Sequence, residues 1–197
     1  MSDLLRKPAL AGFLLCFMAV ASGAIHSARA ASVMSSQDAR APQEKPAAPE
    51  KAPEKHTTLE DRQRLVAIAH KLEAAPLDPA LGPERAWAVS WTVAAPDIHV
   101  RICTSLLSDL RRPPYKYKSQ IGDQLLISSA AFLIEHPDQA AGIARQSVGG
   151  MEGVLKAYSA IIKADPQATA KSLDALLAKQ HDGKLAEAVG EIVKDCH

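Results

Sequence analysis

Aromatic residues are scarce: Phe, Trp and Tyr together make up 4% of the 197 residues. A β-sandwich needs aromatic and β-branched faces, so this shortage, with abundant alanine, favours closely approaching helices. Excess charge is missing as well. The formal net charge is +1, and no basic surplus points toward nucleic acid as a partner. Common catalytic signatures are also absent: there is no Gly-rich phosphate loop, no G-x-S-x-G, no H-E-x-x-H and no C-x-x-C. Asp97 and His99 could join a serine in a triad, but scattered residues of these types occur in most proteins and by themselves carry no reaction. No catalytic residue and no cofactor is expected.

What is present begins at the N-terminus. Arg6 and Lys7 precede an apolar run from Ala9 to Ile25, and Ala28 and Ala30 then stand in a small-residue cleavage pattern. Residues 1–30 read as a secretory signal peptide, which predicts an exported protein, periplasmic or secreted. The run is just short of a usual membrane span, so an anchor through residues 9–25 is the alternative and the one route by which a membrane enters. Cys16 lies behind Leu14 and Leu15, where lipid attachment would need a small residue. Residues 31–56 follow as an Ala/Pro/Lys/Glu-rich stretch without apolar periodicity. Such a segment buries too little surface to offset its ordering entropy, so a disordered linker is expected.

From residue 57 to 197 the pattern is that of packed helices. Thr57 and Glu60 stand at capping-box spacing, and Leu65, Ile68, Ala69 and Leu72 fall on one face. Prolines 76, 79 and 83 end that helix, with Pro83 opening the next. Trp87 and Trp91, four apart, are expected to stack as a core seam. Between Asp97 and Leu110 an alternating pattern competes with Ile98, Ile102, Leu106 and Leu110 at helical spacing; the longer pattern predicts a helix. The stretch 120–136 is apolar all round, which marks a central buried helix too short and polar for a bilayer. Three more apolar stripes follow, through Met151–Ile162, residues 169–180 and Leu185–Val193. The expected fold is all-α, a compact bundle of about six or seven helices that could be arranged as hairpins.

Residues 154–168, "VLKAYSAIIKADPQA", resemble the second helix of a tetratricopeptide repeat. The stretch before them lacks that repeat's first helix, and Gly149–Gly150 is expected to break a helix there. More widely, "YKY" at 115–117, "SSAAFLIEHPD" at 128–138, "LKAYSAIIKADPQA" at 155–168 and "LDALLAKQHDGKL" at 173–185 resemble a group of exported bacterial proteins known only as hypothetical. The resemblance implies a helical exported domain and brings no site residue.

Two features carry chemistry. Cys103 and Cys196 are the cysteines left after signal cleavage, and an oxidising compartment favours their pairing, with two separate buried thiols as the alternative. A metal site adding His99 and His197 would need adjacent ligands at a fraying terminus, so no metal is expected. His70, His136 and His181 read as solvated helix-end residues. The second feature is "RRPPYKYK": Arg111, Arg112, Lys116 and Lys118 with Tyr115 and Tyr117, four cations within eight residues and no acid. It reads either as a polar loop whose cations complement a helix C-terminus or as a recognition surface for phosphate, carboxylate or glycan groups. These readings predict a protein-protein interaction or scaffold module of the cell envelope, its partner an unidentified envelope protein. A binder of a small anionic ligand or glycan is the alternative, and an enzyme comes third.

Overall fold

The computed structural model describes residues 56–111, 114–139 and 142–196. The expected signal peptide and nearly all of the expected linker lie outside the described residues, as do Arg112 and His197. Among the described residues six α-helices follow in order: α1 (Leu59–Ala74), α2 (Gly82–Ala94), α3 (Lys118–Glu135), α4 (Ile143–Ala164), α5 (Lys171–His181) and α6 (Leu185–Val193), with 3₁₀ segments at Pro79–Leu81, Thr104–Arg111 and Pro137–Gln139. No strand occurs among the described residues, so the fold is all-α. No described helix is long and apolar enough to cross a membrane.

The all-round apolar character of α3 follows from its place between two cores. Ile121 and Leu125 join a cluster built by α4, α5, α6 and the Thr104–Arg111 segment. Ile127, Ala130, Ala131 and Leu133 join a second cluster built with α1 and α2. The expected faces of α1 and α4 are buried: Leu65, Ile68, Ala69 and Leu72 on α1, and Met151, Val154, Leu155, Tyr158 and Ile161 on α4. A polar layer lies where α3 meets α1, with Gln124 Nε2 donating to Ala69 O of α1 at 3.3 Å and to Ser128 Oγ of α3 at 2.8 Å. Satisfying the amide in this way offsets the cost of burying it.

Four expectations are corrected. The cap of α1 is Thr58, whose hydroxyl accepts from Asp61 N at 3.1 Å and donates to Asp61 Oδ2 at 2.8 Å, one position beyond the box expected at Thr57. Residues 98–103 are not helical; helical turns begin only at Thr104, and as 3₁₀. Arg101 O accepts from Gln146 Nε2 at 3.3 Å instead of closing a helical turn, and Ile98 and Cys103 are buried at either end. Gly149–Gly150 lies inside one unbroken 22-residue helix, α4. Added Cβ atoms at these two glycines would strike Phe132 and Ser129 of α3, so packing outweighs the low helix propensity of glycine. The tryptophans stack, with centroids 5.9 Å apart, but the buried residues of α2 are Ala88 and Thr92; both indoles pack half-buried at the core's edge.

Cys103 and Cys196 form a disulfide, with Cα atoms 5.8 Å apart, inside the bridging range. It ties the segment entering Thr104–Arg111 to the end of α6. At the opposite end of the sequence, Asp97 Oδ2 gathers Thr57 N at 3.0 Å, Arg62 at 2.7 Å and His56 Nδ1 at 3.3 Å, so the start of α1 is fastened beyond the end of α2. Burial would raise the Asp97 carboxyl, but hydrogen bonds from Thr57 and Arg62 outweigh it and hold it down at about 2.

Candidate functional site

The "RRPPYKYK" loop leads from the Thr104–Arg111 segment into α3, and its central residues face the α4–α5 connection. Lys116 Nζ donates to Asp165 Oδ2 at 2.6 Å, and the Tyr117 hydroxyl donates to the same oxygen at 2.9 Å. Tyr115 Oη donates to Ala168 O at 2.9 Å, and its ring meets Tyr117 edge-on, centroids 6.1 Å apart. Lys116 holds the Asp165 carboxyl below its usual range, and burial pushes the Tyr115 phenol up to about 12. Tyr158, fully buried on α4, completes the arrangement by donating to Asp174 Oδ1 at 2.5 Å and accepting from Ala170 N at 2.8 Å. Three of the six residues singled out in this loop are thus occupied with residues 165–168. Arg111 and Lys118 are exposed and border a separate open hollow, and Arg112 lies outside the described residues. Asp165 lies 49 positions from Lys116 and 48 from Tyr117 in sequence, so local reading could not supply it.

A second constellation escaped sequence reading. His70 is exposed, as expected, but it sits within α1 and is engaged there, Nδ1 3.1 Å from Glu73 Oε2 and Nε2 3.4 Å from Glu135 Oε1 of α3. Lys156 of α4 donates to the same Glu73 oxygen at 3.1 Å, and Glu73 is only 9% exposed. Three helices are therefore linked in a chain, α4 to α1 through Lys156 and Glu73, and α1 to α3 through His70 and Glu135. The cleft above it is about 160 Å³, with Gly149 and Gly153 in its wall, below the 300 Å³ or more of an ordinary ligand pocket. Among the described residues no three His, Cys, Asp or Glu side chains have the geometry to hold a metal.

The hydrogen bond to Glu73 raises the His70 pKa above 6.5; burial opposes it, and Glu135 adds to the rise. A raised folded-state value means that this contribution to stability is complete below the ordinary histidine value and is lost as pH rises through the folded one. The opposite sign holds for Asp97, whose contribution is complete above 3.8 and is lost as pH falls through about 2. Urea denaturation from about pH 6 to about pH 8.5 should show a decline of roughly a few tenths of a kcal/mol, small because the ring is half-exposed and screened. Glu135→Gln should reduce the decline in part, because Glu73 still holds the ring, and an unchanged slope would show that Glu135 does not engage His70.

The third constellation is the α1–α2 edge. Arg64 of α1 lies over Trp87 with Cζ 3.9 Å from the ring centroid, and Trp91 stacks beside Trp87 at an interplanar angle of 24°. Arg64 is exposed and has no ion-pair or hydrogen-bond partner among the described residues. Two large apolar side chains stay in water near the Asp97 end of this helix pair: Leu59 of α1, 71% exposed, and Val93 of α2, 74% exposed. No family model, curated protein or solved structure matches the chain, so its function has to be read from contacts such as these.

Proposed function

We propose that the protein is an exported interaction module of the cell envelope whose binding face is the α1–α2 edge. The observation that carries the reading is the half-exposed Trp87–Trp91 stack beneath Arg64. Tryptophan and arginine dominate the energetics of protein interfaces because they bring large rigid area and a planar charge at low entropic cost. The partner that fits is a protein segment with an apolar side chain for the indoles and a carboxylate for Arg64, whose guanidinium no described acid engages. Export is supported by the signal-like residues 1–30 and by the Cys103–Cys196 disulfide, a bond that persists in oxidising compartments. The tyrosine–lysine loop supports this reading less well, since its central groups already serve the α4–α5 connection.

The test uses the full-length chain with a photo-crosslinking residue at Ser90, exposed on α2 between the tryptophans, and a control at Lys179 of α5. One envelope protein should crosslink from Ser90 and not from Lys179. Its yield should fall about tenfold or more in Trp91→Ala and in Arg64→Glu, with thermal melting still cooperative. Equal crosslinking from both positions, or yields unmoved by either substitution, removes the α1–α2 edge as the binding face.

A further inference from the structure

Independently of that face, a cleft of about 560 Å³ opens between the α1–α2 connection and the first turns of α3. Its wall is preorganised. Pro76 and Pro79 stiffen the connection, and Asp78 accepts from Ala80 N at 2.8 Å, capping the Pro79–Leu81 turn. Arg85, two positions before Trp87, leaves α2 roughly 200° around the helix from the indole and enters this cleft instead. There one guanidinium nitrogen donates to Pro76 O at 2.7 Å. Of the five donors on that group, the others have no partner among the described residues.

Asp123 of α3 lines the same cleft. It is half-buried, and its carboxylate has no hydrogen bond or ion pair with any described residue, Arg85 included. Burial raises the Asp123 carboxyl and lowers Arg85, while each charge partly offsets the penalty on the other. Opposite charges sharing a partly desolvated cleft would gain most by collapsing into a contact pair. Here the bond to Pro76 O holds Arg85 back. The two charges therefore line one cleft of about 560 Å³ without forming a contact pair, and Tyr117 and Gln120 line it with them.

We propose that this cleft binds a small zwitterion, a free amino acid or short peptide, with its ammonium at Asp123 and its carboxylate at Arg85. A ligand carrying only one charge satisfies one wall and leaves the other unpaired. A zwitterion satisfies both, and the stiff connection keeps the ordering cost low.

Titration of isotopically labelled full-length protein followed by amide NMR decides the matter. The probes are glycine, alanyl-alanine and trialanine, which step up the separation between charges, with ethylamine and acetate as single-charge controls. At least one zwitterion should saturate shifts in both residues 76–85 and 117–123, with each control bound at least about tenfold more weakly. Arg85→Gln and Asp123→Asn should each weaken that zwitterion about tenfold while the melting temperature stays near that of the parent. Should Arg85→Gln fold poorly, Arg85→Lys keeps the charge and loses the fork, and should bind more weakly than the parent. The proposal is overturned if none of the three zwitterions shifts these residues, if acetate binds as tightly as the best of them, or if Asp123→Asn binds as well as the parent.

Discussion

Cys196→Ala lowers the stability of the protein by about 4–5 kcal/mol in the chain-entropy model, because the bridge to Cys103 closes a long loop in the unfolded chain. The two cysteines are 93 positions apart, so the crosslink constrains most of the folded part of the chain when it unfolds. On the folded side the loss also falls on weak elements. Cys103 follows the non-helical residues 98–102, and α6 is a 9-residue helix anchored by Leu185, Val189 and Val193. A helix of that length has little stability of its own. The melting temperature should drop by roughly 15 °C. Reductant should reproduce the drop in the parent and leave the variant unmoved. A variant melting within about 2 °C of the parent would mean that the bridge contributes almost nothing, against the loop-closure argument.

How much of this was legible from sequence depended on how far apart the deciding residues lie. The stripes of α1 and α4 and the all-round burial of α3 were readable because each is written within one helix. Cys103 and Cys196 were also readable as a pair, since the third cysteine, Cys16, lies in the apolar N-terminal run and each of the two stands among apolar neighbours. Residues 98–103 were misread because alternating and helical spacings both fit them, and Gln146, 45 positions from Arg101, settles the contest. The spacing of Trp87 and Trp91 announced a shared face but not that α2 lies at the edge of the core. The tie through His70 was hidden in the same way, since Glu135 is 65 positions away. Arg85 and Asp123 are likewise ordinary helix residues until the α1–α2 connection and α3 are brought together.

Gly153→Val should cost about 2–4 kcal/mol, although leaving glycine would ordinarily strengthen a helix interior. A Cβ at Gly153 would stand 2.5 Å from Ser128 Cβ and 2.8 Å from Glu73 Oε1, closer still to Ser128 Oγ. None of these neighbours can withdraw cheaply. Ser128 Oγ accepts from Gln124, and Glu73 is held by His70 and Lys156, so α3 and α4 must separate or the three-helix tie must break. Gly190 supplies the control: it lies inside α6, and a Cβ there meets nothing within 4 Å. Gly190→Ala should therefore stabilise the protein by about 0.5–1 kcal/mol, the ordinary gain from removing a helical glycine. Urea denaturation of both variants, read at constant m-value, gives the two signs directly. If Gly153→Val were as stable as the parent, α3 and α4 would not be as close as Gly149, Gly150 and Gly153 of α4 require.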